Sequence, residues 1–295
     1  MRVNPNPYPD LVAAAEATQQ QINTDEEQIS SGQAVNVPSD NPAAAAILVQ
    51  NAAQTSQADQ FERSIGSIQG EIQNADTALN SVTTALQQAI TLGTEGANGT
   101  VNAADRQAIA TQVEGIQNQL VSLANLSYQG NYVFAGTATQ TSPYVLDASS
   151  PSGVTYQGNS GVNSVTLGNQ FSLQTNLPGS QIFSAPGNDM FQSIQDLING
   201  LISGNGIGTA VNEVDTAMNY VDAQRVFYGN ALNQLNGQQN YLSTETTQLA
   251  QQQNTVGGAD LTVVISNLTT SQTSLQATLQ AIADTANANL FEYLR

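Results

Sequence analysis

The chain is 295 residues long, with five basic and 23 acidic side chains, a formal net charge of −18, and no Lys, His, Cys or Trp. That excludes a His general base, Ser-His-Asp and Cys-His relays, zinc sites of the usual N/S type, a P-loop lysine and a Schiff base. It also makes nucleic acid a poor partner, because a phosphate backbone must be neutralised by cations.

The five basic residues are Arg2, Arg63, Arg106, Arg225 and Arg295. Only 9% of residues are charged while 40% are hydrophobic, against about a quarter charged in an average globular protein. This reads as a protein whose surfaces are covered by something similar. The most apolar stretches, Leu11 to Ala15 and Ala43 to Val49, fall far below the ~18 residues of a membrane span. The first ten residues lack the apolar core of a cleavable signal peptide, so any export is expected to need none.

The first predicted helix carries a weak stripe, Leu11, Ala15, Thr18, Ile22 and Ile29. Asp25-Glu26-Glu27 is the densest acidic run. Consecutive helical residues diverge, so it is read as a solvated face rather than half of a metal site. A second helix is predicted from Pro42, with Asp40 or Asn41 as cap, to Leu92. Its seam, Phe61, Ile65, Ile68, Ile72, Ala75, Leu79, Val82 and Leu86, alternates steps of four and three, which places these side chains on one stripe. The run Gly93 to Gly99 is expected to stop it. A third helix, Asn102 to Ser127, has a seam of Ile109, Val113, Ile116, Leu120 and Leu123.

From Asn131 to Asn188 the texture changes to Gly, Ser, Thr, Pro and Asn, with β-prone runs at 132–135, 154–156, 164–167 and 170–174. This predicts a small β domain with its own core. Tyr128, Tyr132, Tyr144 and Tyr156 cluster around it, as packing residues before a glycan-binding surface. A short amphipathic helix follows, Asp189 to Ser203. Gly204-Asn-Gly-Ile-Gly208 follows a helix rather than a strand, so it reads as a hinge, not a dinucleotide loop.

Val214, Val221, Tyr228, Leu235, Leu242, Leu249 and Val256 then recur every seventh residue. Arg225 lies on that seam; its stem can pack while its head pairs with a carboxylate. The phase breaks across Gly257-Gly258. With Asp260 as cap, a final seam runs through Leu261, Ile265, Leu268, Gln272, Leu275, Leu279, Ile282 and Ala286. Gln272 could set register in an assembly.

Stripes far apart in the sequence can be buried only against each other. The expected fold is therefore mainly α: an elongated discontinuous helical bundle or coiled coil from both chain ends, with a small inserted β domain. Expected domains are 1–41 with 258–295 (terminal helices), 42–130 with 189–257 (middle bundle) and 131–188 (β insertion). The terminal seam offered for assembly is Leu11, Ile22, Ile29, Leu261, Ile265, Leu268, Gln272, Leu275, Leu279 and Ile282. No catalytic, cofactor-binding or metal site is expected, and no enzyme.

Ser30-Ser-Gly-Gln-Ala-Val-Asn-Val-Pro-Ser-Asp-Asn-Pro-Ala-Ala-Ala45 resembles the loop between the first two helices of the flagellin superfamily. Tyr128-Gln-Gly-Asn-Tyr-Val-Phe-Ala-Gly136, Ser266 to Leu279 and Asn289 to Leu294 resemble the branch that joins hook to filament. The resemblance covers both helical ends, roughly half the chain. It implies terminal helices that assemble as a ring and a secreted, extracellular place in the bacterial flagellum. It also implies a hook-associated protein on the hook side, flagellin on the filament side and an export chaperone as partners. The alternatives are a flagellin-type filament subunit and a secreted adhesin or glycan-binding module using the β insertion.

Overall fold

The structure, a computed structural model, describes residues 8–168 and 171–293, the stretch 286–293 by its backbone alone. The first seven residues, Gln170 of the last expected strand, the Ala286 side chain of the final seam and Leu294 lie outside the described residues. The fold is mainly α. The helices are α1 (Tyr8–Ser31), α2 (Pro42–Gly96), α3 (Ala103–Ala124), α4 (Gly179–Ile182), α5 (Met190–Ser203), α6 (Ile207–Gly257) and α7 (Leu261–Tyr293). The chain divides into two compact units. One draws on the chain up to Gln57 and from Thr244 onward; the other is Ala58–Ser243.

The second unit holds the large core. Ile65, Ile72, Ala75, Leu79, Val82 and Leu86 of α2 are fully buried, as are Val214, Val221, Tyr228 and Leu235 of α6. These are the residues of the two heptad seams, so the spacing alone identified the packed faces. α3 and α5 pack together and add Val113, Leu120, Ile194, Leu197 and Leu201 to the same cluster. Arg225 of α6 spans to α2, its Nε 3.0 Å from Asp76 Oδ1, while its Nη1 lies 3.1 Å from Asp222 Oδ1.

Helix ends follow local chemistry. Asn41 Oδ1 accepts from the Ala44 N–H at 3.0 Å, so Asn41 is the cap of α2. Asn102 caps α3 and Asp189 caps α5 through the N–H groups of Asp105 and Gln192. Asp260 Oδ1 accepts from Thr262 N at 3.0 Å at the start of α7. α2 ends at Gly96, inside the Gly93–Gly99 run expected to stop it and one turn beyond Leu92. A Cβ at Gly93 would lie 2.6 Å from Val211 Cγ2 and 2.9 Å from Leu197 Cδ1, and one at Gly96 would overlap the Leu201 side chain. These glycines serve close helix packing; the helix passes Gly93 and has Gly96 as its last residue.

Among the described residues the β region is four separate two-stranded antiparallel hairpins. They are β1 (Ser127–Tyr128) with β2 (Asn131–Tyr132), β3 (Tyr144–Leu146) with β4 (Val154–Tyr156), β5 (Ser164–Thr166) with β6 (Ser172–Gln174), and β7 (Ser184–Ala185) with β8 (Asn188–Asp189). The β1–β2 turn, Gln129-Gly130, has φ of 50° and 83°, as a two-residue type I′ hairpin requires. Residues 133–135 do not extend β2 as expected. Their carbonyls serve loops instead: Phe134 O accepts from Gly179 N at 2.7 Å and Ala135 O from Asn159 N at 3.1 Å.

The β region also lacks a core of its own. Phe134, Tyr144, Leu167, Leu173, Leu177, Ile182 and Phe183 belong to the same buried cluster as the helices. The Tyr144 ring packs in tilted contact with Phe191 of α5, centroids 4.9 Å apart, and with Tyr156, 5.0 Å apart, and its hydroxyl lies 3.1 Å from Ser184 Oγ. Burial pushes the Tyr144 and Tyr228 hydroxyls above the ordinary tyrosine range. Of the four tyrosines, Tyr144 is a packing residue of this shared core.

Candidate assembly surface

The first unit is built around α1 and α7. Gln33 and Gly258 form an antiparallel bridge, with Ala34 N donating to Gly257 O at 2.7 Å and Ala259 N donating to Gly32 O at 3.0 Å. The chain leaves α1 through Gly32, at a φ of +69° that suits glycine. Because the end of α1 is tied to the start of α7 and the two helices pack together, they run antiparallel.

The loop from 33 to 41 is held from within. Asp40 Oδ2 accepts from Asn36 N at 3.0 Å and from Val37 N at 2.9 Å. Gln28 Nε2 donates to Ala34 O at 3.2 Å, and Val35 is buried. An open cleft of about 470 Å³ lies among Gln33, Leu48, Val49, Ala52, Asn254 and Gly257.

The predicted seam residues separate into two sets. On α1, Ile22 is buried and Leu11 and Ile29 are half-buried. Together with Ala15, Thr18 and Asp25 they form one stripe of alternating four- and three-residue steps. On α7, Leu268, Leu275 and Ile282 are half-buried, but Leu261, Ile265 and Leu279 are 44%, 52% and 52% exposed, and Gln272 is exposed too. The covered stripe of α7 is Val264, Leu268, Ser271, Leu275, Thr278 and Ile282. Its four-three spacing is as regular as that of the predicted seam. Ser271 and Thr278 dilute its hydrophobicity, which hid it in the sequence.

Thus α7 carries two adjoining stripes sharing Leu268, Leu275 and Ile282. One is covered within the chain, and the other is apolar and open. A two-helix pair can cover only one face of each helix, so this apolar area stays open within the chain.

The acidic run is also divided. Glu26 and Glu27 are exposed, as expected, but Asp25 is only 2% exposed. The run is therefore not wholly a solvated face. The 100° turn per residue puts Asp25 on the covered stripe and its neighbours off it. Its Oδ1 accepts from Gln21 Nε2 at 2.9 Å, and its Oδ2 has no partner.

Among the described residues no group of three or more acidic side chains could hold a metal ion, and no helix is long and apolar enough to cross a membrane. What the unit offers is the open apolar surface of α7.

Residues 8–139 match the family described as the bacterial flagellin N-terminal helical region. The chain is 27% identical to flagellar hook-associated protein 3 of Escherichia coli (strain K12), over 90% of either chain. Among solved structures, a flagellar hook-associated protein from Vibrio parahaemolyticus superposes with a TM-score of 0.59 at 22% identity, over 75% of this chain and 97% of that one. The flagellar junction protein FlgL from Legionella pneumophila superposes with a TM-score of 0.54 at 14% identity, over 61% of this chain and 95% of that one.

Proposed function

From the premise that the chain belongs to the hook-associated protein 3 family of the flagellin superfamily, we propose that it is the structural adaptor joining the flagellar hook to its filament. Copies assemble as a ring through the terminal helices. A hook-associated protein lies on the hook side and flagellin on the filament side. The observation that carries this reading is the open apolar stripe of α7, Leu261, Ile265 and Leu279, beside a stripe already used by α1. Self-association would remove that area from water, at about 25 cal/mol per Å².

Ring contacts are assigned to 1–41 with 258–295, support to 42–130 with 189–257, and the remaining surface to 131–188. The protein reaches its place by the flagellar export route, held by an export chaperone until use. The relatives are structural flagellar proteins, in keeping with a mechanical role.

The test is localisation and loss. Immunogold labelling should give a single band between hook and filament, and deletion of the gene should send unpolymerised flagellin into the medium. Label along the whole filament would instead identify a filament subunit. Attached, full-length filaments in the deletion strain would refute the adaptor.

A further inference from the structure

The pair Asn-Gly occurs four times in the chain: Asn98-Gly99, Asn199-Gly200, Asn205-Gly206 and Asn236-Gly237. The asparagine is exposed in all four, so access to water does not rank them. The backbone does. An asparagine amide is lost when the next residue's backbone nitrogen attacks its Cγ, and glycine, without a Cβ, leaves that nitrogen unshielded. Gly200 lies inside α5 and Gly237 inside α6, where the N–H is bonded to the carbonyl four residues back. Reaction there must wait for the helix to open. Asn98-Gly99 lies between α2 and α3, and Asn205-Gly206 between α5 and α6. Neither the Gly99 nor the Gly206 N–H donates to a backbone carbonyl among the described residues.

The two loop sites differ at the amide oxygen. Asn98 Oδ1 accepts from Thr100 N at 3.2 Å and from Thr100 Oγ1 at 3.0 Å. Attack at Cγ turns that oxygen into an oxyanion, and both donors already face it, the arrangement that stabilises a tetrahedral intermediate. At Asn205 the bonded atom is the amide nitrogen, Nδ2 donating to Ser203 O at 3.3 Å, and no donor reaches its Oδ1 among the described residues.

We propose that Asn98 is a site of spontaneous deamidation, promoted by Thr100. The Gly99 nitrogen gives up its proton and bonds to Asn98 Cγ. The Cγ–Nδ2 bond breaks and ammonia leaves with that proton, giving a cyclic imide. One water then opens the ring at either carbonyl, leaving aspartate or isoaspartate at position 98; nothing is oxidised or reduced. The product carries one more negative charge. Opening at the main-chain carbonyl routes the backbone through Cβ and Cγ. Asn98 O, which accepts from Val101 N at 3.0 Å, then leaves the main chain. The turn that sets Val101 O 2.9 Å from Arg106 Nη1 is lost with it. None of this depends on the adaptor reading.

The test follows all four sites by peptide mass spectrometry on the full-length protein held at alkaline pH, native and in denaturant. In the native protein, position 98 should deamidate at least about tenfold faster than 199 and 236, and faster than 205. In denaturant the four rates should converge. Thr100→Val removes the hydroxyl donor but keeps the N–H. It should slow position 98 by about two- to tenfold, the worth of one hydrogen bond, and leave 205 as it is. Gly99 has open space where a Cβ would go and no positive φ, so Gly99→Ala fits the fold and should slow position 98 further. A native rate at 98 no higher than at 199 or 236, or the same spread of rates in denaturant, overturns the site. A Thr100→Val rate equal to wild type overturns the part given to Thr100. If a variant unfolds by circular dichroism, the wild-type comparison of the four sites, which needs no substitution, decides.

Discussion

Two leucines, Leu79 and Leu279, make opposite predictions under the same substitution. Leu79 is completely buried in the α2 seam. Replacing it with alanine removes buried methyl groups and leaves a cavity, at a cost of about 2–5 kcal/mol. For a unit the size of Ala58–Ser243, each kcal/mol lowers the thermal midpoint by about 2–4 °C. The expected fall is therefore roughly 4–20 °C. Leu279 is 52% exposed, so no closed cavity forms and at most half of the ~1.5–3 kcal/mol for burying a leucine is lost. Its midpoint should fall by no more than about 6 °C. Its cost should fall on assembly, where the same defect recurs at every contact around a ring. Calorimetry of both variants, with flagellin assayed in the culture medium, decides. A midpoint for Leu279→Ala as low as that of Leu79→Ala would show that its stripe is already filled. Normal filament retention in Leu279→Ala would show that the stripe is not used.

Three further outcomes follow from the second unit. Burial holds the Asp189 carboxyl above the usual carboxylate range, with Asp196 nearby adding to it against the N–H bonds of Gln192 and Phe191. A raised acid favours the folded state while protonated, and that advantage is lost as pH rises through the folded pKa. Asp189→Asn keeps the cap of α5 but cannot ionise, so its midpoint relative to wild type should be higher at about pH 7 than at about pH 4; an equal difference at both would refute this. Gly96→Ala should destabilise the unit by about 1–3 kcal/mol through overlap with Leu201, outweighing a helix-propensity gain of about 1 kcal/mol; a raised midpoint would show that the side chain yields. Replacing Thr137 to Gly187 with a short linker removes Tyr144, Leu167, Leu177, Ile182 and Phe183 from the shared core, so the midpoint and the helical circular dichroism signal should both fall, while unchanged helicity would mean the hairpins are separable.

Most of the helical fold was legible because its signal is geometric. Ile65 to Leu86 and Val214 to Leu235 repeat without a polar interruption at the positions that matter, apart from Arg225. The caps Asn41 and Asp260 were readable from residue type alone. Gly93 and Gly96 left only the last turn of α2 undecided, because glycine has two uses that look alike in a sequence: ending a helix and admitting a neighbour. The difference lies in Val211, Leu197 and Leu201, distant in the chain. The β region was legible as texture but not as architecture. Its strands are two or three residues long, too short for alternation to show which face is buried. Tyr144 and Phe183 therefore gave no sign that their core is the core of the helices.

The assembly surface was legible in part for a different reason. A periodic stripe says that a helix face is to be covered, but not by which partner. On α7 two stripes with the same period adjoin, and the more hydrophobic one, through Ile265 and Leu279, is the one left open. Inside the chain α1 takes the weaker stripe, with Ser271 and Thr278, and meets it with Asp25 on its own covered face. In a chain optimised as a monomer the stronger stripe would be buried first, since apolar area removed from water dominates helix pairing. Under the proposed ring, its exposure here, with a buried carboxyl on the α1 side, leaves the better surface for contacts beyond the single copy. The apparent mismatch between hydrophobicity and burial on α7 is therefore evidence about assembly. It could be seen only once the covered stripe was known.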